Sequence, residues 1–144
     1  MATVDDVIDS LSTEDVEQRL MALLDSFNSI VIADEAHMRT ALAVFQENWL
    51  AARREGDGSA APFVRSRRRM RWLDEALTPL EGLPEENRRR LRAALALTLG
   101  IDSIVILKDV CGLDDIEALA VLRWAAAALL RAGLDQDTAS TIQD

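Results

Sequence analysis

Apolar residues recur along this chain three or four positions apart, the spacing of a helical face, from near its start to about residue 134. Val16, Leu20, Leu23, Leu24, Phe27 and Val31 form one such stripe, and Ser12 followed by Glu14 and Asp15 reads as its N-cap with acids in the first turn. A second helix is predicted from Asp34, with Met38, Leu42, Phe45, Trp49 and Ala52 on one face. It ends at Arg53-Arg54-Glu55 and the turn-rich Gly56-Asp57-Gly58-Ser59. A third runs from near Pro62 to Leu77, with Phe63, Met70, Leu73 and Leu77 inward, and Thr78-Pro79 stops it. Pro84 suits the first position of a fourth helix, with Glu85 and Glu86 in its first turn. That helix is predicted to continue through Leu99, with a kink at Gly100 before Ile101 to Cys111. Gly112 is a natural C-terminal cap. Asp114 with Glu117 forms a capping box that opens the last helix, which is expected to close at Gly133.

The first three helices carry one apolar stripe each; the last two do not. From Ala93 to Val110 and from Ile116 to Leu130, apolar residues occur almost all the way round, and only Glu117, Arg123 and Arg131 interrupt the final helix. A helix apolar on every side must be buried on more than one side. Two wholly interior helices are hard to arrange in a small domain. The economical solution packs one face into the home core and another against a second copy, the alanine-rich face permitting close approach. Leu95, Leu99, Ile106, Ala120, Trp124 and Ala127 are the expected interface residues. Two such helices from each subunit would make a four-helix interface.

A chain of 144 residues is long enough for one core and too short for two, so a single domain over 1–144 is expected, ordered over about 12–134. Tyrosine is absent and prolines number only three, which with frequent Ala, Leu, Glu and Arg favours an all-α chain. The expected architecture is an orthogonal or antiparallel bundle of about five to six helices. The net charge of −9 argues against the chain as a whole coating nucleic acid or an anionic membrane. The charge is uneven, however: between Arg65 and Arg92 nine arginines stand against five acids. The lone cysteine, Cys111, is expected to be buried, and its lack of an intrachain partner fits a reducing cytoplasm. Asp5 and Asp6 stand where a signal peptide would be basic. The most apolar stretch, Ala93 to Leu107, is interrupted by Thr98, Gly100, Asp102 and Ser103 and falls short of the ~20 residues of a membrane-spanning helix. A soluble, cytoplasmic protein with no membrane partner is expected.

Candidate chemistry is sparse. Phe27, Met38, Leu42, Phe45, Trp49, Met70 and Leu73 either enclose an apolar effector cavity or pack as ordinary core. His37, the only histidine, is either a polar anchor for an effector or a solvated surface residue. The run Arg65, Arg67, Arg68, Arg69, Arg71 with Trp72 on the same polar arc either grips a nucleic-acid backbone or pairs with the protein's own carboxylates, Trp72 then lying against a neighbouring helix. Arg88, Arg89, Arg90 and Arg92 have Glu85 and Glu86 within helical pairing distance. No Gly-rich phosphate loop, G-x-S-x-G, H-E-x-x-H or paired-cysteine metal spacing occurs, so no catalytic residue, metal ligand or cofactor is proposed from the sequence.

The stretch Leu83 to Gly133, above all Leu91-Arg92-Ala93-Ala94-Leu95-Ala96-Leu97, Asp109-Val110-Cys111-Gly112-Leu113 and Leu122-Arg123-Trp124-Ala125, resembles the closing helices of TetR-type repressors. Val16-Glu17-Gln18-Arg19-Leu20 and Asp34-Glu35-Ala36-His37-Met38-Arg39 look like the start of that regulatory domain, and the likeness covers roughly residues 12 to 133. The resemblance implies a C-terminal domain that homodimerises through its last two helices and holds a small apolar effector between the others. It also implies a helix-turn-helix head that binds DNA. No such pattern precedes residue 12, so DNA contact is expected only through a domain missing from this chain. Two other readings are a stand-alone helical protein binding nucleic acid through its Arg-rich surface, and a purely structural dimer module.

Overall fold

Asp15 opens the first helix, its side chain accepting hydrogen bonds from the N–H groups of Glu17 and Gln18 at 3.0 and 3.2 Å. A computed structural model describes residues 15–56 and 67–141, the last five by their backbone alone. Six α-helices follow in order: α1 (Val16–Ala33), α2 (Glu35–Arg54), α3 (Arg68–Ala76), α4 (Glu85–Ala96), α5 (Ile101–Val105) and α6 (Asp115–Thr141). A 3₁₀ turn at Thr78–Leu80 joins α3 to α4, and α5 continues as a widened π-helical segment over Ile106–Val110. The described residues form an all-helical bundle.

Helix α1 is the axis of the core. Leu20, Leu23 and Leu24 pack with Trp72, Leu73, Ala76 and Leu77 of the α3 region, Leu91, Leu95 and Leu99 around α4, and Ala126 and Leu130 of α6. A smaller cluster near the other end of α1 joins Val31 to Ile101, Ile104 and Leu122, flanked by Met38 and Leu42. Truncating one of these fully buried leucines to alanine is expected to cost ~2–5 kcal/mol. Arg19 ties α1 to α3 from the side, donating through Nε and Nη2 to the carbonyls of Ala76 and Glu75 at 3.2 and 2.6 Å. A cation on the last carbonyls of a helix is favourably placed.

Several boundaries differ from the pattern. Ser12 and Pro62 to Phe63 lie outside the described residues, as do Asp57 to Ser59, and the cap observed on α1 is Asp15. Pro84 stands at the N-cap of α4, one residue earlier than expected. Helix α4 stops at Ala96 instead of running through Leu99, and the chain turns over four residues before α5. Polar groups make that break. Thr98 Oγ1 donates to Leu95 O at 2.7 Å and Ser103 Oγ donates to Leu97 O at 2.5 Å. Asn28 of α1 donates to Thr98 O at 3.0 Å and accepts from Gly100 N–H at 2.9 Å.

The expected end of the last helix at Gly133 is also corrected, since α6 runs on to Thr141. Gly133 has no left-handed backbone. It serves close packing instead, because a Cβ there would stand 3.0 Å from both methyls of Leu91. Gly112 does cap, at φ 71°, and the Asp114–Glu117 capping box forms with both reciprocal bonds, at 2.9 and 3.1 Å.

Candidate functional site

Helix α2 has no buried residue along its twenty positions, and an open cleft of about 420 Å³ lies beneath it. The walls come from Phe27 and Val31 of α1, Met38, Ala41, Leu42 and Phe45 of α2, Met70 and Trp72 of α3, and Ala96 and Ile101. Arg68 and Arg69 are its charged lining residues. The size falls within the ~300–1,000 Å³ of small-molecule sites. Phe27 and Trp72 meet edge to face, with ring centroids 5.1 Å apart.

Of the seven residues expected here, Phe27, Met38, Leu42, Phe45 and Met70 line the cleft. Leu73 does not: it is fully buried in the main core, one turn of α3 deeper. Trp49 does not either. It lies exposed toward the far end of α2, with the Arg53 guanidinium 4.2 Å above its ring. Trp72, which falls on the polar arc of its helix, is nonetheless buried. Helix α3 is packed between α1 and α4, so two of its faces are covered.

The N-terminal end of α2 is fastened by a charge network. Glu35 accepts from Lys108 Nζ at 2.6 Å and from Arg39 Nε at 2.8 Å. Arg39 also forks onto both oxygens of Asp109 at 2.7 Å, and Lys108 reaches Asp115 at 2.6 Å. Lys108 first, then Arg39, hold the Glu35 carboxyl below its ordinary range, and Arg39 does the same for Asp109. Lys108 is raised in turn, chiefly by Asp115. The network joins one wall of the cleft to the π-helical segment and the start of α6. Sequence reasoning missed it because its members lie 70 and 73 positions apart and carry no motif.

His37 is a solvated surface residue, its Nδ1 donating to the Asp34 carboxylate at 3.0 Å, and it is absent from the cleft lining. Cys111 is exposed, against the expectation of burial, because the widened helix ends there just before its glycine cap. Two arginines of α4 reach across helices, Arg90 while also bonding Asn87 of its own helix. Arg92 forks onto Asp74 at 2.8 and 2.9 Å, and Arg90 bonds to Gln136. Arg65 lies outside the described residues.

The six expected interface residues divide. Leu95, Leu99 and Ala127 are buried in the chain's own core and cannot face a partner. Ile106, Ala120 and Trp124 are exposed, Trp124 to 71%. On α6, Ala118, Leu122, Ala126 and Leu130 form the home stripe. Ile116, Ala120, Trp124 and Ala128 form an exposed stripe. The two stripes are offset by two residues, about 200° around the helix. With Leu97, Ile106, Val110 and Val121, the outward stripe makes an exposed apolar surface containing a shallow groove of about 400 Å³.

No family model, no curated protein and no solved structure matches this chain. Among the described residues no group of three or more His, Cys, Asp or Glu could hold a metal ion, and no helix is long and apolar enough to cross a membrane.

Proposed function

We propose that this chain is the effector-binding and dimerisation domain of a TetR-type transcriptional regulator. Two copies join through the outward faces of the π-helical segment and α6, and a small, largely apolar molecule occupies the cleft beneath α2. The exposed apolar stripe Ile116-Ala120-Trp124-Ala128, back to back with a complete home stripe, is the observation that carries the reading. A contiguous exposed surface of this kind marks an interaction site. An apolar face spread over two adjoining helical segments suits a two-fold axis. Trp124, large and central to the stripe, is the natural anchor.

The regulatory step follows from the Glu35 network. An effector with different affinities for two settings of α2 would shift the population of those settings. The lysine and aspartates of the π-helical segment and α6 would carry that shift to the dimer face, and the DNA-binding heads of such a regulator would read it.

Sedimentation at micromolar concentration is expected to give a dimer, twice the chain mass of 15.9 kDa. Trp124→Glu is expected to weaken dimerisation by at least about 2 kcal/mol, roughly thirtyfold in dissociation constant, with helical circular dichroism retained. A monomeric wild type, or a Trp124→Glu dimer as tight as wild type, would refute the assignment.

A further inference from the structure

Aromatic side chains are scarce in this chain, three Phe and three Trp in 144 residues, and half of them line one hollow. Phe27, Phe45 and Trp72 share the cleft beneath α2 with Met38 and Met70, two of the chain's four methionines. The rings of Phe27 and Trp72 stand at 60° to one another, so they form a corner and not a flat wall. The α2 side of the cleft is also under-covered. Met38, Ala41, Leu42 and Phe45 recur at helical spacing along it, yet each is only partly buried, whereas the inward leucines of α1 are fully so. The charged lining residues leave no charge seeking a partner: Arg69 is salt-bridged to Asp102, and Arg68 is likewise engaged within the chain.

We infer that the ligand of this cleft is an uncharged, planar aromatic molecule of about two fused rings. The inference rests on the reading of the cleft as the effector site and adds the ligand's chemical class. A cavity of ~150 Å³ holds one benzene ring, so the open volume of about 420 Å³ has room for two. A ring laid flat on one wall of the Phe27–Trp72 corner turns its edge toward the other, and aromatic rings favour both the offset-stacked and the edge-to-face contact. The thioethers of Met38 and Met70 add sulfur–ring contacts and adjust to the outline of the guest. A saturated molecule of the same outline buries as much apolar area but has no quadrupole to match these walls. A charged one gives up hydration and finds no unpaired opposite charge on the lining in exchange.

The test is calorimetric titration of the whole chain with naphthalene-2-methanol, its carboxylate and methylammonium counterparts, and its ring-saturated decahydro analogue. The aromatic alcohol is expected to bind about tenfold tighter than the saturated analogue, and by at least about the same factor over either ion. Phe45→Leu keeps the lining apolar and removes one ring from a partly buried position. It should cut the preference for the aromatic alcohol over the saturated one at least about twofold and leave the affinity of the saturated one unchanged. Thermal melts establish that the variant folds; should it fail to, the ranking of the probes on wild type decides alone. If the saturated analogue or either ion binds wild type as tightly as the aromatic alcohol, or folded Phe45→Leu keeps the full preference, the aromatic inference falls and the effector cleft stands. If no probe binds, the inference and the effector cleft fall together, while the sedimentation result still answers for the dimer.

Discussion

A buried asparagine in the middle of a helix is costly unless both ends of its amide are bonded. Asn28 meets that condition by serving two backbone groups of the α4–α5 break, the carbonyl of Thr98 and the N–H of Gly100. Asn28→Ala would leave both unpaired in a buried place. It is expected to destabilise the fold by ~2–4 kcal/mol, measured by urea unfolding with an unchanged slope. A loss below about 0.5 kcal/mol would show that the break is held by something else. Sequence pattern makes Phe27 and Val31 legible as inward residues, since their period is helical. It cannot assign Asn28 a role, because its partners lie 70 and 72 positions away. Trp72 shows the same limit from the other side. One stripe marks one covered face, whereas α3 has two.

At the scale of elements, α2 depends on charge where α1 and α6 depend on burial. None of its residues is fully buried, and its firmest attachments are Glu35 and Arg39. Glu35 and Asp109 have lowered values in the folded chain, so their contribution is present at neutral pH. It is lost as pH falls below about 4, through the folded values. Hydrogen-exchange protection factors of α2 are therefore expected to drop on acidification before those of α1 and α6, and molar salt should have a similar, weaker effect. Equal loss across all three helices would contradict this. Helices α1, α2 and the opening of α6 were legible from stripes, caps and breakers. The α4–α5 region was not, because continuous apolar character hides a break made by Thr98, Gly100 and Ser103.

For the whole molecule, the same continuity explains why the expected interface residues divided. A helix apolar all round announces that two sides are covered but gives no phase to tell them apart. Leu95, Leu99 and Ala127 went to the home core, while Ile106, Ala120 and Trp124 went outward. If the outward stripe joins two copies, folding and association are linked, and the melting temperature should rise with chain concentration. A melting temperature independent of concentration over a hundredfold range, well above and below the dissociation constant, would mean that the stripe has another use. Three large apolar residues exposed on α2, Val44, Trp49 and Leu50, enter neither the cleft lining nor the outward groove.

Helix α2 is clamped near Glu35 and Arg39 and projects from that clamp to Arg54. Mechanically it is a cantilever. Fifteen residues beyond the clamp make an arm of about 22 Å, so a pivot of about 5° at its root sweeps the tip through about 2 Å. A guest that shifts Leu42 by a fraction of an ångström would be felt, magnified, at Trp49, which turns that exposed indole into a natural fluorescent pointer for occupancy of the hollow below it.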